Sequence, residues 1–421
     1  MEHLNCIECG SIFGSDEIIY KCRKCGGILE VTLDLGEVRE KISGGEWRNS
    51  PLGVWRYADF LPIKNRRKIV TLNEGGTGLH RCLRLGEKLG LNKLFVKFEG
   101  ENPTGSFKDR GMTVGLSKAN ELGVGIVICA STGNTSASLA AYAAKAGMQC
   151  IVLVPAGKIA VGKLAQAIAH GARLVQVKGN FDDSLRMVFQ LCERNSQIYL
   201  LNSINPFRIE GQKTLAFEVC EQMGVPPDCM VMPVGNAGNI SAAWKGFNEF
   251  EAVGLIRSKP RMIGIQADGA SPIVDAFRGG KTTVTPVEAP ETVATAIRIG
   301  SPISWRKALK AIRDSNGFSE SVTDQEILNA QRLLAQSEGL FVEPASAAPV
   351  ASLTKLLEQK VIDKSDSVVC VATGHGLKDS DVITRVFGEP VTVEANIEDI
   401  EKFLNLLMKY DKWLQEPSPT R

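Results

Sequence analysis

From about residue 94 to residue 371 the chain alternates short apolar, β-branched runs with segments patterned for helix. No other property of the sequence restricts the fold so strongly. Strands are expected at Leu94–Phe98, Gly125–Cys129, Cys150–Val154, Leu174–Val177, Ile198–Leu200, Met230–Met232, Met262–Ile265 and Val368–Val371. Helices are expected from Ser106 to about Glu121, Thr135 to Ala146, around Lys163 to His170, around Phe181 to Asn195 and from about Ile209 to Met223. Such alternation is the mark of parallel sheets covered by helices, so the fold class is α/β. A chain of 421 residues, 44% of them hydrophobic, has room for about two to three domains around a substantial core.

Charge and apolar runs exclude several partners. Lys and Arg number 49 against 47 Asp and Glu, a formal charge of +2, which supplies no basic surface for nucleic acid or an acidic membrane. The start, Met1-Glu2-His3-Leu4, lacks the basic-then-apolar pattern of a signal peptide. No apolar run reaches the ~18 residues of a membrane span, and Lys145 interrupts the best candidate. A cytoplasmic protein with no nucleic-acid and no membrane partner is expected.

Of eleven cysteines, Cys82, Cys129, Cys150, Cys192, Cys220, Cys229 and Cys370 are scattered, several in apolar runs, and read as small buried hydrophobes in a reducing compartment. The other four are grouped. Cys6-x-x-Cys9-Gly10 and Cys22-x-x-Cys25-Gly26 are two knuckles twelve residues apart, the spacing of a tetrahedral zinc ribbon. The alternative is a degenerate ribbon whose thiols stay reduced. A polar linker containing Gly44, Gly45 and Pro51 follows, and the main body begins near Trp55. Residues 280 to 300, rich in Thr, Pro and Gly, are expected to form a long surface loop. Ile397 to Leu414 reads as a charged amphipathic helix, with the tail beyond Glu416 frayed.

The segment from Glu101 to Met112, ENPTGSFKDRGM, reads as a loop turning into a helix. Asn-Pro and Thr-Gly are turn dipeptides, and Ser106 with Asp109 has the spacing of a capping box. Lys108 then lies in the first helical turn, where the positive end of the helix dipole disfavours an ammonium. A neutral amine is what a Schiff-base lysine requires. Ser131-Thr132-Gly133-Asn134-Thr135 sits between strand and helix at a strand's carboxyl end, an anion cradle suited to an α-carboxylate. Gly235-Asn236-Ala237-Gly238-Asn239 lets successive N–H groups converge on a phosphate, without the pattern of a P-loop or a dinucleotide site. Arg208, in Asn202-Ser203-Ile204-Asn205-Pro206-Phe207-Arg208, carries a planar fork that matches phosphate. Thr373 closes the last strand. Taken singly, each has a plainer reading as turn, cap or surface ion pair.

In this order the segments resemble the fold-type-II pyridoxal-phosphate enzymes, and among them the threonine-synthase family, over nearly the whole chain. The resemblance implies a two-domain, tryptophan synthase β-like fold preceded by a small four-cysteine ribbon. The implied boundaries are 1–45 for the ribbon, 46–115 with 200–395 for the large cofactor-binding domain, 116–199 for a smaller inserted domain, and 396–421 for a terminal helix and tail. It implies that Lys108 carries pyridoxal 5'-phosphate, that Asn134 bonds its ring oxygen and that Gly235, Asn236, Ala237, Gly238 and Asn239 hold its phosphate. Thr373 would face the pyridine nitrogen. Ser131, Thr132 and Thr135 would hold the substrate carboxylate, and Asn202, Ser203 and Arg208 its phosphate. Cys6, Cys9, Cys22 and Cys25 would hold a structural zinc. The implied reaction is O-phospho-L-homoserine plus water giving L-threonine and phosphate, in a homodimer. A serine/threonine dehydratase or a β-replacing synthase is the alternative within the fold, and should lack the Arg208 segment. A binding protein on an inert scaffold is the alternative from another class, against which an intact Lys108 speaks. One departure stands out: Glu74-Gly75-Gly76-Thr77-Gly78-Leu79 lacks the family's usual proline, which should loosen that turn.

Overall fold

The computed structural model describes residues 2–157, 161–179, 181–379 and 391–405. The chain divides into two compact units, Met1–Ser380 and Asp381–Arg421. The first opens with three antiparallel strands, β1 (His3–Cys6), β2 (Ile12–Gly14) and β3 (Leu29–Thr32), ordered β2-β1-β3. The period of two along β1 and β3 puts Leu4, Cys6, Leu29 and Val31 on one buried face, in a cluster with Val114 and Phe207 of the main body.

Two largely parallel sheets follow. β4 (Leu79–Arg81) and β5 (Lys93–Phe98) begin the larger one. β6 (Ile126–Ala130), β7 (Gln149–Pro155), β8 (Arg173–Val177) and β9 (Ile198–Leu200) form the smaller, ordered β8-β7-β6-β9. β10 (Cys229–Pro233), β11 (Arg261–Ala267), β12 (Phe318–Val322) and β13 (Ser367–Ala372) complete the larger sheet, ordered β12-β11-β10-β13-β5-β4. Only β4, at its edge, pairs antiparallel. Alternate residues of β10 serve two cores: Met230 and Met232 face one, Cys229 and Val231 the other. Each strand expected from an apolar run is present. β12 was illegible because it reads Phe-Ser-Glu-Ser-Val, with Ser319 and Glu320 buried and Ser319 donating to the Gly264 carbonyl.

Several expectations are corrected. The Ser106–Asp109 capping box does not form: the helix is Lys108–Glu121 and no side chain caps it. Asp109 instead accepts from the Thr104 N–H at 2.7 Å, the Thr104 hydroxyl at 2.6 Å and the Ser138 hydroxyl at 2.5 Å. The helix expected over Ile209–Met223 is two, Pro206–Gln212 and Thr214–Met223. There the Thr214 hydroxyl bonds back to the Gly211 carbonyl, a contact that bends helices. The polar linker holds a helix, Leu35–Ile42, whose Val38 and Ile42 enter the core with Trp47. Of the 280–300 loop, Ala294 and Ile297 are buried, and a Cβ on Gly235 would meet Ile297 Cα at 3.1 Å. The turn lacking proline is not loose either, because Gly78 donates its N–H to Glu101, which a proline could not do. In the second unit residues 397–405 are helical, and Asn396 accepts from the Asp399 N–H at 2.9 Å, a helix-start cap. The remainder of the expected 397–414 helix, and the tail, lie outside the described residues. No helix among the described residues is long and apolar enough to cross a membrane.

A charge cluster with no solvent exposure fixes the Lys108 helix to the larger sheet. Arg110 reaches Glu99 through Nε at 2.6 Å and Nη2 at 2.8 Å, and Glu218 through Nη1 and Nη2, both at 2.7 Å. Lys97 joins Glu218 at 2.8 Å. Burial opposes the Glu218 charge, yet Arg110 and Lys97 overcome it and pull its carboxyl from 4.5 down to about 2. That lowering contributes stability fully above about pH 4.5 and loses it as pH falls toward about 2. Glu218→Ala should destabilise the protein by about 3–5 kcal/mol, since it strands buried cations. Urea unfolding midpoints at pH 7 check the size. The gap from wild type should narrow as pH falls from about 4.5 toward about 2, where the unfolded chain takes up a proton that the folded carboxylate still refuses.

Candidate active site

The five segments that carry the candidate site each leave a sheet at the carboxyl end of a parallel strand, where open α/β sheets bind ligands. β5 leads through residues 99–107 to Lys108, β6 to Ser131–Thr135, and β9 to Asn202 and Arg208. β10 leads to Gly235–Asn239 and β13 to Thr373. The Lys108 loop and the β13 end are bonded directly, Phe107 N–H to the Thr373 carbonyl and His375 N–H to the Gly105 carbonyl, both at 2.9 Å.

Lys108 is half-buried, its amine 3.7 Å from the centre of the Phe107 ring. Desolvation, with the cations Arg208 and Lys378 nearby, lowers its pKa from 10.5 to about 7, against the opposing pull of Glu343 and Asp109. The lowering expected from the helix dipole is thus joined by burial and two neighbouring positive charges.

Arg208 lies on the helix Pro206–Gln212, which Asn205 caps by accepting from the Phe207 N–H at 3.0 Å. This helix crosses the Lys108 helix at unusually close range. A Cβ on Gly211 would stand 1.7 Å from the Arg110 carbonyl oxygen, and one on Gly115 3.3 Å from Arg208 Cγ. The crossing buries Arg208 to 1% exposure with Nε and Nη1 lacking any protein partner. Desolvation lowers even its guanidinium, to about 10. A buried cation without a carboxylate is costly unless an anion comes to it.

The glycine-rich turn supplies a second anion cradle. Ala237 takes a left-handed conformation, φ +66°, at the start of the helix Gly238–Ala252, the kind of turn whose successive N–H groups can bind an anion. Asn239 Nδ2 is buried there with no partner. A Cβ on Gly238 would lie 3.5 Å from Ile209 Cδ1, which puts the turn beside the Arg208 helix. Asn236 faces elsewhere: its carbonyls accept from the Ser304 and Ile303 N–H groups.

Thr373 Oγ1 is 3.1 Å from Ser346 Oγ. Asn134 donates from Nδ2 to Glu343, at 2.9 Å to Oε2. Ser131, Thr132 and Thr135 are half-buried around the Gly133 turn, and Ser203 is half-buried near Arg208 in sequence. Asn202 is otherwise engaged. It accepts from the Ala130 N–H and donates to the Ala130 carbonyl, both at 2.9 Å, which anchors the 131–135 turn. Glu343, Ser346 and Lys378 escaped the sequence reading. The run Val342-Glu343-Pro344-Ala345 looks like an ordinary helix start, and Lys378 like a surface lysine. Lys378 in fact donates to the Thr104 carbonyl at 2.8 Å and to Gln166.

The ribbon thiols also converge. Sγ of Cys6, Cys9, Cys22 and Cys25 lie within 4.8 Å of one another, with Cys6–Cys25 at 3.5 Å and Cys9–Cys22 at 3.6 Å. Zinc–sulfur bonds of about 2.3 Å in a tetrahedron separate the sulfurs by about 3.8 Å, so the thiols fit one such ion.

A family model described as pyridoxal-phosphate dependent enzyme matches residues 70–374. The threonine synthase of Methanocaldococcus jannaschii is 58% identical over 403 residues, covering 96% of this chain and 99% of that protein. That of Methanosarcina acetivorans is 56% identical, covering 96% and 98%. The Halalkalibacterium halodurans threonine synthase is 51% identical, covering 79% and 90%. Among solved structures, the processed form of threonine deaminase isoform 2 from Solanum lycopersicum superposes with a TM-score of 0.64 at 19% identity, covering 81% of this chain and 96% of that one. Maize serine racemase gives 0.62 at 19% identity, covering 80% and 93%. Both share the fold.

If Lys108, with its pKa at about 7, is the amine that captures cofactor, capture by the apoprotein should quicken as pH rises through neutrality and level off above it. Lys378→Met removes a neighbouring cation and should move that rise to higher pH. Stopped-flow absorbance across pH measures both; an unmoved midpoint would mean Lys378 does not act on the amine.

Proposed function

The chain belongs to the pyridoxal-phosphate dependent enzymes and, within them, to the threonine synthases; on that premise we propose how its own residues bind and turn over the substrate. The reaction is O-phospho-L-homoserine plus water giving L-threonine and phosphate. Pyridoxal 5'-phosphate supplies the electron sink. Gly235, Ala237, Gly238 and Asn239 hold its phosphate, and the unpartnered Asn239 amide supports that assignment. Asn134 donates to its ring oxygen. In support, the Asn134 amide is bonded to Glu343, whose charge also acts on the Lys108 amine. Thr373 faces the pyridine nitrogen with a neutral hydroxyl, which Ser346 orients.

One observation carries the substrate assignment: Arg208 is buried with two donors free. It reads the substrate phosphate with Ser203, while Asn202 shapes the adjoining 131–135 turn. The backbone of Ser131, Thr132 and Thr135 takes the carboxylate. Lys108, its pKa lowered to about 7 so that a large share of the amine is neutral near that pH, takes a proton from the α-carbon, passes it on, takes one from the β-carbon, and returns protons as phosphate leaves the γ-carbon and water adds at the β-carbon. The large domain expected over 46–115 and 200–395 and the smaller one over 116–199 would clasp the cofactor through their described residues up to 379. The alternative of a serine/threonine dehydratase provides no use for a buried, unpaired Arg208.

The ribbon holds one structural zinc on Cys6, Cys9, Cys22 and Cys25, a set with no open position and no role in the chemistry. A cytoplasmic homodimer completes the reading. The scattered, buried cysteines outside the ribbon fit a reducing compartment, and the dimer rests on family resemblance.

Lys108→Ala should abolish turnover and leave cofactor only dissociably bound. Arg208→Ala should lower phosphohomoserine turnover by roughly ten- to over a hundredfold, the cost of a charge-assisted contact, and leave any deamination of serine little changed. Equal losses on both substrates, with the visible band intact, would assign Arg208 to structure. Metal analysis of purified protein should give about one zinc per chain; folded, zinc-free protein with four titratable thiols would sink that assignment.

A further inference from the structure

Glu343 is 4% exposed and ends the segment that precedes the helix Pro344–Ala351. A glutamate in that position can cap its own helix, but here no side-chain cap forms. The carboxylate turns toward the site. It receives the Asn134 amide, at 2.9 Å to Oε2 and 3.3 Å to Oε1. On its other side it presses on the end of β13. The Glu343 N–H donates to the Gly374 carbonyl at 3.0 Å, and a Cβ on Gly374 would stand 2.6 Å from Glu343 Oε1. The carboxylate is thus wedged between Asn134 and the residue after Thr373, with little freedom to turn.

Other charged groups face it from each neighbouring element. Lys108 comes from its own helix, and Lys378 and Asp379 from the turn after β13. Burial, helped by Asp379, raises its pKa above the usual carboxylate range, against Asn134 and the two lysines, which favour the charge.

An asparagine amide is almost symmetric in shape, so packing alone hardly decides which edge carries the N–H groups. A ring oxygen bearing negative charge needs the donor edge. An ionised carboxylate can only accept, and it therefore permits one orientation of Asn134. With one N–H committed to Glu343, the second is left to point away from it.

We propose that Glu343 is a positioning residue for the reaction, an acceptor that fixes the Asn134 amide with its remaining N–H presented to the cofactor's ring oxygen. The inference rests on the reading of Asn134 given above. Protonating Glu343, or replacing it by an amide, allows the Asn134 side chain to flip and offer a carbonyl oxygen instead. The ring then loses a donor, and its electronic state becomes dependent on pH.

A double-mutant cycle on the holoenzyme tests this. Asn134→Ala, Glu343→Gln and the double variant are compared with wild type by kcat on phosphohomoserine, and by the pH dependence of the cofactor's visible band without substrate. Asn134→Ala should lower kcat roughly ten- to a hundredfold and displace the band. Glu343→Gln should cause part of the same loss and move the band in the same direction, most at high pH, where the wild-type carboxylate is ionised. The double variant should be no worse than Asn134→Ala alone. Additive losses would overturn the inference and leave the Asn134 reading intact. An Asn134→Ala enzyme with unchanged band and rate would overturn both. Melting temperature and cofactor content separate a structural role: if Glu343→Gln lowers these while the remaining band and its pH profile match wild type, Glu343 supports the fold only and the inference fails.

Discussion

Arg110 is held by two buried carboxylates, each gripped at both oxygens, and the site is assembled on that grip. Burying such a cluster gains little net stability, since desolvation of each ion offsets most of the attraction. It defines position instead. Glu99 leaves the end of β5, Glu218 lies on the helix Thr214–Met223, and Lys97 belongs to β5 itself. Glu218 also accepts from the Gly76 N–H at 2.8 Å, and the Lys97 ammonium reaches the Thr77 carbonyl at 2.6 Å. One guanidinium therefore ties the strand, the 74–78 turn and a second helix to the start of the helix that presents Lys108 two residues earlier.

The same helix sets the place of Arg208. Gly111 and Gly115 repeat at four residues and so lie on one face, against which Gly211 and the backbone of Arg208 pack. A side chain at any of these would force the helices apart and let water reach the guanidinium. Met112, Leu116 and Ala119 in the core of the smaller sheet, and Val114 and Phe207 in the cluster shared with the ribbon, hold the crossing in place, so an uncompensated charge persists in the interior. Strain of this kind is what a fold tolerates at a site rather than in its scaffold. On the other side of the crossing the ribbon adds its own support: Lys118, without side-chain exposure, meets Glu2 at 3.5 Å and Asp16 at 3.3 Å.

How much of this the sequence disclosed depends on the signal each element carries. Strands such as Met230–Met232 and Val368–Val371 were legible because buried parallel strands are nearly continuous apolar runs. β12 was not, since its interior positions are serines and a glutamate satisfied by hydrogen bonds to neighbours distant in sequence. Lys108, Thr373 and the glycine-rich turn were named from local motifs and lie where the strands end. The capping box at Ser106 failed because Asp109 found better donors in Thr104 and Ser138, the latter far along the chain. Asn202 carries the right chemistry for phosphate, but the Ala130 backbone takes one donor and one acceptor from it. Glu343 gave no local signal at all. Its meaning comes from Asn134, more than two hundred residues away.

The charges of the site finally have to be considered together with the ligands proposed for it. Arg208 and Lys378 lower the proton affinity of Lys108, and Glu343 and Asp109 raise it. Arg208 is second only to burial among the causes that lower it, and among the lowering charges it is first. A phosphate dianion seated on Arg208 cancels that positive field. The Lys108 amine is then a stronger base with a phosphate-bearing ligand in place than without one. On the proposed reading, a substrate lacking the phosphate would leave Arg208 unneutralised and meet a weaker base, so one buried guanidinium would discriminate both in binding and in the reactivity of the amine. On that reading the buried, unpaired charge of Arg208 is the element through which substrate identity would reach the Lys108 amine.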